Sequence, residues 1–155
     1  MTQQDSAPAV QLVCPSCAQR VRVPAARLAD QPRCPACKQV LLAGKPVVLD
    51  DARFERFVKD SQLPVLVDFW APWCGPCRNF APLIERAAAQ YSPALIVAKL
   101  DTDAAPRTAA QARIQSIPTI ALYRDGREIQ RTSGALPWNS LTAWLASAGI
   151  AASKP

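Results

Sequence analysis

All six cysteines of this chain fall in pairs of one spacing, C-x-x-C: Cys14/Cys17, Cys34/Cys37 and Cys74/Cys77. Histidine is absent. Without imidazole there can be no Ser-His-Asp or Cys-His hydrolase, no histidine-ligated metal and no histidine-held haem. A metal here must be held by sulfur or oxygen, and protons must move through some other group. Six cysteines in 155 residues is also too thin for a disulfide-stapled mini-protein, where the share exceeds ~8–10%. With 50% hydrophobic and 19% charged residues, the composition is that of a globular chain, long enough for one domain and a small appendage.

The compartment decides how paired cysteines are read. Met1–Val10 holds no Lys or Arg and no apolar core of ~7–15 residues, so no secretory signal is expected. No apolar run approaches the ~18 residues of a membrane span. A cytoplasmic chain with no membrane partner is therefore expected, in which thiols stay reduced and C-x-x-C pairs serve as metal ligands or redox catalysts. The net charge of +6, from 18 Lys+Arg and 12 Asp+Glu, is scattered without a run of five. It argues little for nucleic acid.

Composition changes near Gly44–Pro46. Residues 1–45 hold four cysteines and no aromatic residue; every Phe, Tyr and Trp lies beyond position 50. Such a segment buries little core and needs a metal or disulfides to fold. A disordered tail over residues 1–12, a metal-binding module over 13–45 and an α/β domain over 46–151 are expected. In the last, Val47–Leu49 is a short strand, and Asp50 or Asp51 caps a helix through Phe54, Phe57 and Val58. Pro64–Trp70 is apolar on both faces, as a central strand is. A helix from near Cys74 to about Tyr91 contains Pro82, which should kink it. Ala94–Leu100 is a second buried strand, and residues 104–112 form a short helix with Pro106 in its first turn. Thr119–Arg124 and Arg127–Thr132 flank Asp125-Gly126 as a hairpin, and Pro137 opens a last helix carrying Trp138, Leu141, Trp144 and Leu145. The order βαβαβαββα predicts a mixed sheet, parallel at its centre, covered by helices.

Cys74-Gly75-Pro76-Cys77 sits where a buried strand ends and a helix begins. A thiol at a helix N-terminus meets unpaired backbone N–H groups and the positive end of the helix dipole, both of which favour the nucleophilic thiolate. The second sulfur returns within bonding reach on the first turn. Cys74 can thus attack a disulfide and Cys77 resolve the mixed disulfide. Gly75 admits a partner chain closely, and Pro76 stiffens the turn without losing a needed donor. The competing reading, half of a metal site, is weakened by the other four cysteines. Cys14, Cys17, Cys34 and Cys37, with sixteen residues between the pairs, match the zinc ribbon pattern C-x₂-C-x₁₅₋₂₀-C-x₂-C. A closed Cys₄ site has no open position, so its Zn²⁺ is structural. Two local dithiols or an iron site are the alternatives. Four thiolates and one Zn²⁺ add −2, reducing the formal +6 to about +4. Arg20, Arg22, Arg27, Arg33, Lys38 and Lys45 give the module a basic tone, but without an aromatic to stack a base it reads as a solvated face.

Asp68 interrupts the central strand. A buried carboxylate resists ionisation and can serve as a base, though an edge position or a backbone hydrogen bond would equally explain it. Lys99, on the neighbouring strand, reads alone as a lysine snorkelling at a strand end.

Val67-Asp68-Phe69-Trp70-Ala71-Pro72-Trp73-Cys74-Gly75-Pro76-Cys77 resembles the active-site segment of thioredoxins. Ser116-Ile117-Pro118-Thr119 resembles their cis-proline loop, and Ser133-Gly134-Ala135 the third loop of their substrate groove. With the cysteine-rich N-terminus, the chain resembles the zinc-containing bacterial thioredoxins of the thioredoxin 2 type. The resemblance covers about residues 47–150 and implies a thioredoxin fold: a five-stranded mixed sheet flanked by helices, with an N-terminal zinc-ribbon module. It implies reduction of protein disulfides through Cys74 and Cys77, with Asp68 moving the proton of the second thiol and Lys99 modulating Asp68. It implies a cis bond at Pro118 and a groove of Trp73, Gly75, Pro76, Ile117, Pro118, Gly134 and Ala135, in which the Ile117 backbone pairs with an extended client. The implied partners are disulfide-containing clients and a flavin- and NADPH-dependent thioredoxin reductase. The chain itself, lacking G-x-G-x-x-G, is expected to bind neither NADPH nor flavin, to bind no nucleic acid, and to be a monomer. The rival reading is a redox-sensing zinc-ribbon binding module or a redox-regulated chaperone. Two departures from the family pattern are the polar tail before Cys14 and the Ala-rich segment 104–113.

Overall fold

The computed structural model describes residues 8–153. Its centre is strand β4 (Val65–Trp70), in which Val65 through Phe69 are all buried. A strand with two covered faces and no water at its edges must find partners for its backbone on both sides. β4 does so by pairing in parallel with β5 (Ile96–Asp101) and antiparallel with β6 (Thr119–Arg124). The edges are β3 (Val47–Leu49), parallel to β5, and β7 (Arg127–Ser133), antiparallel to β6, giving the order β3-β5-β4-β6-β7. Asp125 and Gly126, at φ +55° and +79°, make the β6–β7 turn, as a hairpin of this twist requires. The mixed five-stranded sheet is the one expected.

Among the described residues, four α-helices cover it: α1 (Phe54–Asp60), α2 (Gly75–Tyr91), α3 (Pro106–Gln111) and α4 (Trp138–Ala146). Alternation along β4 sends Leu66 into a cluster with Phe80 and Ile84 of α2 and Leu141 and Leu145 of α4. Val65, Val67 and Phe69 turn to the opposite cluster with Phe57 and Val58 of α1. Asp68 shares the Leu66 face, and Lys99 shares that of Val97, by the same period of two. α2 continues through Pro82 to Tyr91. The second buried strand begins two residues later than expected, because the Leu95 N–H still bonds Tyr91 O at the end of α2.

The cap expected on α1 is distributed differently. Asp50 Oδ1 accepts the Arg53 N–H at 3.0 Å, closing the turn before the helix. Asp51 instead reaches α3, whose own N-cap position is Ala105 and offers no side-chain acceptor. Its carboxylate accepts from Thr108 N and Oγ1, both at 2.7 Å, and from Arg107 N at 3.3 Å. The Thr108 hydroxyl, first among these donors, holds the Asp51 pKa below its ordinary value.

The disordered tail expected over residues 1–12 does not hold for residues 9–12. Ala9–Val13 form β1, antiparallel to β2 (Arg20–Pro24), while residues 1–7 lie outside the described residues. A segment without aromatics gave no reason to expect a strand, but Leu12 and Val13 are buried against the larger body. They belong to one apolar cluster with Val21, Val23, Leu41 and Leu42 and with Leu49, Phe57 and Val58. Polar contacts reinforce the seam: Gln11 Nε2 donates to Asp60 O at 2.9 Å and Arg53 Nη1 to Pro15 O at 3.2 Å. The cysteine-rich segment and the sheet thus share a core. Truncating Leu12 to Ala should therefore cost about 2–4 kcal/mol, read as an earlier single unfolding transition of the tryptophans, all of which lie beyond residue 50.

Candidate active site and metal centre

The end of β4 decides the geometry of Cys74. The chain turns at Ala71, whose carbonyl accepts the Cys74 N–H at 3.2 Å. Cys74 then becomes the N-cap of α2 in extended conformation, with Pro76 in the first helical turn. Its Sγ accepts the Cys77 N–H at 3.1 Å, taking up one of the donors that a helix start leaves free. Cys74 and Cys77 are joined as a disulfide, with Cα atoms 5.2 Å apart. Arg78 Nη1 donates to Pro72 O at 2.9 Å and ties the loop to the helix. At Gly75 an added Cβ would meet nothing within 4 Å, so the approach to the sulfurs is open.

Two further loops converge on the same end. Ile117–Pro118 is cis, and Ile117 O lies 3.9 Å from Cys74 Sγ. Thr119 Oγ1 donates to Ser116 O at 2.7 Å. The β5–α3 loop is held by Thr102, whose N–H and hydroxyl both donate to Trp70 O, at 2.8 and 3.1 Å. Trp73 is 68% exposed, so it is no core aromatic, and its Nε1 donates to Asp103 Oδ2 at 2.8 Å. A groove of about 480 Å³ runs beside Cys74 between Trp73, Pro76, Ala109, Ile114 and Ile117.

The predicted groove residues Trp73, Gly75, Pro76 and Ile117 all line this space. Pro118 is buried behind it. Gly134 and Ala135 are exposed but do not line it; Gly134, at φ +92°, donates its N–H to Pro118 O at 2.8 Å and so ties the end of β7 to the loop before β6. Three contributors went unread in the sequence. Thr102 and Ala109 carry no chemistry that spacing could flag. Arg131 on β7 donates through Nη2 to Ala112 O at 2.6 Å and through Nη1 to Arg113 O at 3.2 Å. Those are the free carbonyls after α3, just before Ile114. Glu128 holds the same guanidinium at 2.6 and 2.8 Å.

Asp68 is 1% exposed, and its Oδ1 has no hydrogen-bond partner among the described residues. Burial pushes its pKa up to about 7, against the attraction of Lys99 directly across the ladder. The Lys99 Nζ sits 4.5 Å over the Trp70 ring, a cation–π contact in place of the expected snorkelling alone.

The other four cysteines gather in the N-terminal segment. Their Sγ atoms lie within 4.8 Å of one another, with Cys14–Cys37 at 3.6 Å and Cys17–Cys34 at 3.7 Å. A tetrahedron with metal–sulfur bonds of about 2.3 Å has edges of about 3.8 Å, so the residues fit a Cys₄ ion. Each turn is built alike: Cys14 N bonds Gln19 O and Cys34 N bonds Gln39 O, both at 2.8 Å. The backbone N–H of Cys37, then that of Ala36, draws the Cys34 thiol down to about 7, while, against the backbone N–H of Gln39, burial and the neighbouring sulfurs push Cys37 up to about 11.

The sequence model of the Thioredoxin family matches residues 45–147, two thirds of the chain. The chain belongs to the thioredoxin family. Residues 13–39 match a second family, Thioredoxin 2, N-terminal, a zinc ribbon. Thioredoxin C-3 of Corynebacterium nephridii is 44% identical over 134 residues, covering 86% of this chain and 92% of that protein. Thioredoxin of Synechocystis sp. is 47% identical over 97 residues, covering 63% and 91%. Among solved structures, a mutant thioredoxin from Halobacterium salinarum NRC-1 superposes with a TM-score of 0.60 at 28% identity, covering 67% of this chain and 90% of that one. Thioredoxins are protein-disulfide reductases, and this one carries the paired cysteines at disulfide distance. No helix among the described residues is long and apolar enough to cross a membrane.

The raised Asp68 pKa makes a sign-definite prediction. Between its ordinary 3.8 and about 7, the unfolded thioredoxin loses the proton while the folded one keeps it. Stability therefore falls as pH rises through that window, by a total on the order of 4 kcal/mol. Asp68→Asn should unfold at much higher denaturant than wild type at pH 8 and at nearly the same denaturant at pH 4. A gap independent of pH would remove Asp68 as its cause.

Proposed function

We propose that this thioredoxin reduces protein disulfides by dithiol exchange and is itself re-reduced by a flavin- and NADPH-dependent thioredoxin reductase. The observation that carries the reading is the Cys77 N–H lying 3.1 Å from Cys74 Sγ at the start of α2. This donor stabilises negative charge on that sulfur, so in the reduced protein Cys74 is the thiolate. Cys74 attacks one sulfur of a client disulfide, forming the mixed disulfide and expelling the client's other sulfur as thiolate. The Cys77 thiolate then attacks Cys74 Sγ, expelling the second client sulfur. Two electrons pass to the client, whose thiolates take up two protons, and the Cys74–Cys77 disulfide is left.

Cys77 is 2% exposed and cannot easily give its proton to water. Asp68 lies on the sheet face that α2 covers, with a free carboxylate oxygen and a pKa near 7, and is the base assigned to that thiol, directly or through a water. Lys99, paired across from it, limits how far burial raises that pKa. Trp73, Gly75, Pro76, Ile117, Pro118, Gly134 and Ala135 form the surface that seats an extended client, whose backbone meets the Ile117 carbonyl. Cys14, Cys17, Cys34 and Cys37 would hold a structural Zn²⁺ that ties the two C-x-x-C turns of the N-terminal segment together and takes no part in the exchange. The protein acts as a monomer in the cytoplasm, with residues 13–45 as the metal-binding module and 46–151 as the catalytic domain.

Turbidity of insulin reduced by dithiothreitol tests the assignment. Wild type should accelerate chain separation, Cys74→Ser should abolish the acceleration, and Cys77→Ser should arrest with client bound through Cys74. A wild type no faster than Cys74→Ser would end the reductase reading. NADPH consumption with a bacterial thioredoxin reductase tests the recycling separately.

A further inference from the structure

The two strands of the cysteine-rich segment differ at their outer edges. Cys14 N to Gln19 O and Ala25 N to Pro8 O bracket the β1–β2 ladder. Since bonded and non-bonded pairs alternate in an antiparallel ladder, Gln11 and Arg22, which face each other, turn their backbone groups outward. On the β1 side that edge is taken: Gln62 Oε1 accepts the Gln11 N–H at 2.7 Å, and the Gln62 N–H donates to Gln11 O at 2.9 Å. On the β2 side, the N–H and C=O of Arg22 find no partner among the described residues.

Beside that open edge lies a groove of about 340 Å³, between β2 and the segment running from Pro32 to Pro35. Val21 and Val23 contribute apolar wall, and the prolines facing them have no N–H with which to close the edge. Its charged lining consists of Arg22, Arg27 and Arg33 against the single Asp30. Among the described residues, none of these arginines is paired with a carboxylate. Only Arg33 has a side-chain bond there, from Nη1 to Lys38 O at 3.0 Å.

We propose that this groove binds an extended acidic peptide segment, which adds to β2 as a third strand and sets its carboxylates against Arg22, Arg27 and Arg33. An open edge calls for a polypeptide backbone, since it offers one donor and one acceptor at strand spacing. The three guanidinium groups, none paired with a carboxylate, call for carboxylates, to which they can donate in bidentate geometry. Nucleic acid would use the charge but not the edge, and residues 1–53 offer no aromatic side chain on which a base could stack. Binding at this edge involves none of the disulfide chemistry.

The test is fluorescence anisotropy on the full zinc-loaded chain with a labelled short peptide alternating Glu and Val. The comparison probes are its Lys-Val counterpart, a version with a central proline, and single-stranded DNA of similar length. The acidic peptide should bind saturably, and more weakly as salt rises from about 0.05 to about 0.3 M. The Lys-Val peptide should not bind. The proline version should bind several-fold more weakly, since it loses a donor to the edge. The double charge reversal Arg22→Glu/Arg27→Glu should weaken binding by roughly tenfold or more, with insulin reduction unchanged as the check of folding. The proposal is overturned by no saturable binding of the acidic peptide, by unchanged binding after charge reversal, or by DNA binding tighter than the peptide. Indifference to the proline would overturn strand addition. The probe-side comparisons use wild-type protein throughout, so they stand even where the variant misfolds.

Discussion

The hydrogen bonding of β4 on both its edges is the constraint from which the active end of the molecule follows. Pairing sets Trp70 opposite Asp101 and Phe69 opposite Thr119. The loop after β4, the loop after β5 and the loop before β6 are thereby brought to one end of the sheet, with no freedom to separate unless buried backbone groups lose their partners. Cys74, Thr102 and Ile117 are residues of those three loops. The bonds tying the loops to one another, Thr102 to Trp70 O and Gly134 to Pro118 O, add local precision to a placement that the ladder has already made.

The same strand carries the main cost of the site. Asp68 is buried with one oxygen that has no partner among the described residues, a position at which a neutral side chain would be more stable. A carboxyl group with a pKa near 7 is partly ionised at neutral pH, so it can take up and return a proton on the sheet face that α2 covers, and an asparagine cannot. Proteins hold such destabilising groups where chemistry needs them. The core shared between Leu12, Val13 and Leu41 on one side and Phe57 and Val58 on the other gives the sheet additional burial. It also makes the four clustered cysteines part of one packed body.

What could be read from the sequence was what depends on local spacing. C-x-x-C before a helix, Asp-Gly between two strands and an apolar run broken by one aspartate each have a short-range physical meaning, and each stands where expected. What escaped notice depends on contacts far apart in the chain. Asp51 looked like a cap for the helix next to it, but its carboxylate serves α3, more than fifty residues on. Ala9–Val13 looked too polar in context to be ordered, and became a strand because Leu12 and Val13 found the α1 surface. Arg131 had the appearance of any hairpin arginine until the fold brought it to the carbonyls of Ala112 and Arg113. Small groove-lining residues such as Ala109 matter through the space they leave, which no motif records.

Identical spacing hides two chemistries in this chain, divided between four fixed sulfurs and two reactive ones. Metal content and thiol accessibility measured together on the native protein test that division directly. After reduction and alkylation under native conditions, mass spectrometry should find one zinc per chain and two modified cysteines, mapped to Cys74 and Cys77. Six modified cysteines on a metal-free chain, or modification of Cys14, Cys17, Cys34 or Cys37 in place of Cys74, would contradict it.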